Sequence, residues 1–95
     1  MKFKNYVSEE RLSSQDKRNL LKAISNPKRD AMINAGGSTI NVVAGNKGNV
    51  SFVYDSGNHV LTKTLVDISD RGGMKFDSNL DKNVHKMTFT IFKDS

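Results

Sequence analysis

The sequence predicts an α+β fold, an N-terminal helix pair packed on a four-stranded, mainly antiparallel sheet, in one domain over residues 1–95. Three observations carry this. From Ser38 to Ile68 the apolar residues recur with the two-residue period of half-buried strands, and Val84 to Lys93 repeats that pattern. Ahead of both, residues 13–37 carry helix punctuation, with Ser13 and Asn26-Pro27 at starts and Gly36-Gly37 at an end.

Residues 1–7 fit two patterns, since Phe3, Tyr6 and Val7 fall at helical spacing while Lys2 and Lys4 around Phe3 suit a short edge strand. Ser13 with Asp16 resembles a capping box and opens a helix bearing Leu20, Leu21 and Ile24 on one side and Lys17, Arg18 and Lys22 largely on another. Asn26-Pro27 ends it. A second helix is expected from Pro27, carrying Ala31, Met32 and Ala35 ahead of the glycines. A DNA-reading helix-turn-helix needs base-reading side chains at the start of its second helix. Lys28, Arg29 and Asp30 stand there, on about two turns of helix, which suits phosphate contact rather than base readout.

A three-strand meander is expected next. Ile40 and Val42 alternate with Asn41 and Val43, then Val50, Phe52 and Tyr54 alternate with Ser51 and Val53, and Leu61 and Leu65 flank Lys63. Gly45-Asn46-Lys47-Gly48 and Ser56-Gly57-Asn58 read as hairpin turns. Ser69 to Gly73 reads as a turn, Met74-Lys75-Phe76 as a short apolar triplet, and Asp77 to Asn83 as a polar loop. The fourth strand, Val84 to Lys93, sets Met87, Phe89 and Ile91 against Lys86, Thr88, Thr90 and Phe92.

Composition narrows the function classes. With no cysteine, disulfides, thiolate chemistry and cysteine-based metal sites are excluded, and a reducing compartment is compatible. No apolar run approaches the roughly 18 residues that span a bilayer, and the first residues lack a signal peptide's apolar core, so a soluble cytoplasmic protein without membrane contact is expected. His59 and His85, both on expected strands, have no second His or Cys at a ligand interval. Asp67, Asp70, Asp77 and Asp81 lack calcium-loop spacing. Ser51 and Ser69 lack a nucleophile-elbow context, and Gly45 to Gly48 precedes a strand, unlike a phosphate-binding loop. No metal, cofactor or catalytic residue is assigned.

Charge is the remaining signal. Residues 1–36 hold eight Lys or Arg against four acids, net +4, and residues 37–95 hold seven against six, net +1, together the chain's +5. Arg11, Lys17, Arg18, Lys22, Lys28 and Arg29 cluster in the first segment, a pattern that attracts polyanions, although a solvated helix face alone carries similar charge.

Residues 14–76 resemble RelE/ParE-type toxins, through a basic helix pair ending near Ser25-Asn26-Pro27-Lys28-Arg29 and a meander closing with Asp67-Ile68-Ser69-Asp70-Arg71-Gly72. The resemblance implies an arginine acting on the scissile RNA, a position that Arg71 matches. Asn41 and Val43 stand where strand lysines are expected, Asn49 and Ser51 where a catalytic arginine is expected, and Phe76 in place of an aromatic hydroxyl. The first ten residues, Met1-Lys2 through Val7-Ser8-Glu9, look like the capsid-targeting start of T-even-type phage internal head proteins, implying a phage accessory protein.

The expectation is a small basic, non-catalytic nucleic-acid-binding protein favouring RNA, in the role of a phage accessory or host-defence antagonist, that binds through Arg11, Lys17, Arg18, Lys22, Lys28, Arg29 and Arg71. An inhibitor or virion assembly factor that holds a protein partner at a sheet edge, with Phe92, Tyr54 or Tyr6 as exposed anchors, is the alternative, and a RelE-like endoribonuclease comes third.

Overall fold

A computed structural model describes residues 12–27 and 30–93. The elements run α1 (Ser14–Ser25), β1 (Ala31–Ala35), β2 (Ser38–Ala44), a 3₁₀ turn (Asn46–Gly48), β3 (Val50–Asp55), α2 (His59–Arg71), β4 (Lys75–Asp81) and β5 (Lys86–Phe92). The five strands form one antiparallel-paired sheet in the order β1-β2-β3-β5-β4. Since β3 and β4 each run antiparallel to β5, they are parallel to each other, and α2 is the crossover that carries the chain between them.

One sheet face is covered by both helices. Register aligns Val42, Phe52 and Phe89 across β2, β3 and β5. These, with Ile40, Val50, Tyr54 and Ile91, pack against Leu20 and Ile24 of α1 and Leu61 and Leu65 of α2. The opposite face carries Met32, Asn41, Val53, Thr88 and Asn79 in one row across all five strands, with no helix over it among the described residues. Ser51 and Thr90 are hydrogen-bonded there, hydroxyl to hydroxyl at 2.9 Å.

The α+β class holds, but a four-stranded sheet under a sequential helix pair does not. The predicted second helix is strand β1, because Gly36 and Gly37 form a two-residue hairpin turn rather than a helix cap. Their φ values of 61° and 81° are both positive, as the turn that matches strand twist requires, and Ala35 pairs with Ser38 across it. The third meander strand is α2, whose N-cap is Asn58, its side-chain oxygen accepting from the Leu61 amide at 3.1 Å. Residues four apart share a face in a strand and in a helix alike, so Leu61 and Leu65 satisfied both periods. The Ser69–Gly73 turn is the end of α2: Met74 N–H donates to Ser69 O and Gly73 N–H to Asp70 O, with Gly73 at φ 68°. Most of the expected polar loop is β4, whose residues are all exposed and whose helix side is marked only by Phe76 and Leu80, so its alternation is weak.

Tyr54, expected as an exposed anchor, is buried, and its hydroxyl lies 2.6 Å from Thr62 Oγ1. Burial pushes its pKa above the ordinary 10.0, and the Thr62 hydrogen bond offsets this in part. The neutral phenol is the form that the fold favours. Its contribution is therefore full below the unfolded value and is lost as pH rises through the folded one. Tyr54→Phe is expected to cost about 1 kcal/mol at pH 7 through the lost hydrogen bond and to flatten the alkaline fall in stability, as urea unfolding at pH 8 and above pH 10 would read. An unchanged alkaline slope would count against this role.

Candidate nucleic-acid interface

The cationic helix is fixed at its start and at its end. Ser13 Oγ accepts from the Asp16 amide at 3.1 Å, as the cap pattern predicts. Asp16 does not complete a reciprocal box; its Oδ2 accepts from Gly36 N–H at 3.0 Å and ties the first turn of α1 to the β1–β2 turn. At the other end Lys93 Nζ donates to Ile24 O at 2.6 Å, a cation at the negative end of the helix dipole.

With Leu20 and Ile24 held inward, the 3.6-residue period turns Arg18 and Lys22, each two positions from Leu20, outward into solvent. Leu21 does not join the buried stripe; it is 48% exposed and stands on a ridge between two grooves. One groove, about 570 Å³ between α1 and β1, is bordered by Arg18, Lys22 and Met32. The other, about 600 Å³ between α1 and α2, is bordered by Lys17, Arg71 and Lys93 over a floor that includes Ile24, Ile68 and Met74.

Of the predicted cations, Lys17, Arg18, Lys22 and Arg71 are thus exposed around one ridge, Lys17 and Arg71 across a shared groove. Arg11, Lys28 and Arg29 lie outside the described residues. Arg71 Nε donates to Asp67 Oδ1 at 3.1 Å, an i,i+4 pair on α2 with the Arg71 side chain 81% exposed. Such a pair contributes little to stability, and one bond leaves the guanidinium's other donors. It is the one ion pair among the described residues, so Lys17, Arg18 and Lys22 meet no carboxylate there.

The uncovered sheet face differs in chemistry. Beside the apolar Met32, Val43 and Val53 it presents hydroxyls and amides, with Asp55, Asp77 and Asp81 next to Lys75 and Lys86, so cationic excess stays with the helices. His59 opens α2 and His85 lies in the β4–β5 turn at φ 56°, neither on a strand as expected. No group of three metal-ligating side chains occurs among the described residues, and none of their helices is long and apolar enough to cross a membrane. Sequence reasoning missed Lys93, whose place after an alternating strand carries no sign of its contact with α1. No protein-family model, curated protein or solved structure matches the chain.

Proposed function

We propose that this protein is a non-catalytic nucleic-acid-binding protein of the cytoplasm that favours RNA and holds the phosphate backbone along α1, with Arg71 contributing from across the α1–α2 groove. The observation that carries the reading is that Lys17, Arg18 and Lys22 are all exposed on one helix with no acid paired to them among the described residues. Cations so placed exchange condensed counterions for protein contacts, which gives affinity without sequence preference. Duplex DNA readout has less support, because β1 occupies the position of the second helix that would enter a major groove.

The test is anisotropy on a single-stranded RNA and on a duplex DNA over a salt series. Affinity for RNA is expected to exceed that for DNA and to fall steeply with salt, and each cation removed should lower the log-log slope by about one. Arg18→Glu with Lys22→Glu is expected to weaken RNA binding at least about tenfold while folding stability changes by about 0.5 kcal/mol or less per site. Salt-independent binding, or unchanged affinity in the folded double variant, would overturn the assignment.

A further inference from the structure

We infer that the outer edge of β4 is a self-association surface, where β4 of a second copy of this chain pairs antiparallel about Ser78 and joins two sheets into one. β4 ends the strand order, and no described residue pairs with its far side. The bare edge on β1 is shorter and lies under α1, where Asn19 Nδ2 donates to Asn34 O at 3.3 Å. Among the described residues β4 has no such cover; it has no proline and no bulge, and Phe76 and Leu80 on it are 41% and 45% exposed. An edge of this kind is a template for another strand.

Hydrogen-bond phase selects the groups that face outward. Ser56 N–H donates to His85 O, so Met87, Phe89 and Ile91, at even steps from His85, direct their backbone groups to β3. Lys86, Thr88, Thr90 and Phe92 then serve Asp81, Asn79, Asp77 and Lys75. Phe76, Ser78 and Leu80 are left to present N–H and C=O to the free edge. The Ser78 amide is satisfied locally instead, donating to Asp77 Oδ1 at 2.9 Å, a bond that an arriving strand would replace.

The sequence of β4 is complementary to itself in this phase. Pairing Ser78 with Ser78 of a second copy sets Phe76 against Leu80 on the helix side and Lys75 against Asp81 on the open side, each twice by symmetry. Phe76 is held ready by its stack on Phe89, ring centroids 5.1 Å apart. A shift of two residues one way opposes Asp77 to Asp77, and the other way opposes Asp77 to Asp81. Shifts by one put outward-facing groups against inward-facing ones. Charge and phase therefore agree on one register and on one occupant, a second copy.

The test is sedimentation of the full chain over a concentration series. The average mass is expected to rise from one chain toward two. Ser78→Pro removes the central edge amide without removing a bond to β5, and should abolish association while circular dichroism stays unchanged. Lys75→Asp should weaken association about tenfold by opposing like charges twice. Adding Asp81→Lys should restore it, and because the two positions lie at opposite ends of β4, that rescue reports contact between copies. A wild-type chain that remains one chain at every concentration, association that survives Ser78→Pro, or a double variant no tighter than Lys75→Asp would each overturn the proposal.

Discussion

Phe52→Ala is expected to lower folding stability by about 3–5 kcal/mol, measured as the shift of the urea midpoint at unchanged slope. Phe52 is fully buried at the middle of β3, flanked in register by Val42 on one side and Phe89 on the other, with the helices above it. Deleting its ring removes apolar area from the one place where both helices and the three central strands meet, and close-packed neighbours refill such a space only in part. Domains of this size have total stabilities of roughly 5–15 kcal/mol, so the variant should stand near the edge of folding. Val53→Ala, one residue away on the uncovered face, is the control and should cost less than about 1 kcal/mol. Similar losses at the two positions would mean that the sheet is covered on both sides.

Asn58→Ala is expected to cost about 2–4 kcal/mol, more than an ordinary helix cap. Its Oδ1 accepts from the Leu61 amide at the start of α2, and its Nδ2 donates to Gly36 O at 3.1 Å and to Ser38 Oγ at 2.7 Å. One side chain thus joins the crossover helix to the β1–β2 turn, which Asp16 also holds from α1. Loss of the cap accounts for about 1 kcal/mol, and the deserted groups, being part-buried, add about 1 kcal/mol each. Asn58→Asp keeps the acceptor and loses the donors, so it should recover only the capping part. If Asp and Ala prove equal in thermal and urea unfolding, the bonds to Gly36 and Ser38 contribute nothing.

How far the sequence spoke depended on how each element is buried. β2, β3 and β5 each have one face in the core and one in water, which writes alternation directly into residues such as Val50, Phe52 and Tyr54. α1 was legible from its cap and its Leu20–Ile24 stripe. α2 was not, because Val60, Thr62, Thr64, Val66 and Ile68 are β-branched and carry strand propensity that tertiary packing overrode. β4 is exposed along its whole length, and only Phe76, stacked on Phe89, and Leu80 mark its helix side, too few apolar positions to write alternation beside its backbone bonds to β5. Among the candidate site residues, Lys17, Arg18, Lys22 and Arg71 were readable because long charged side chains stay in water, whereas their grouping around Leu21 is a product of the fold. Lys93 reaches Ile24 across 69 positions of sequence, a contact that no local pattern announces.

The place of β5 between β3 and β4 sets the order in which this chain can become a protein during its synthesis. A nascent chain that has emerged only as far as residue 85 holds β3 with one edge unpaired and β4 with none paired, and Phe52 lacks Phe89 beside it. In the folded sheet β3 and β4 are parallel and stand one strand's width apart, the place that β5 fills. Residues 86–92 close both gaps at once, and Lys93 then fastens to the C-terminal end of α1. Completion of the sheet therefore waits for this segment. Until residues 86–92 emerge, the free edge of β3 is a template for a chaperone or for a neighbouring chain.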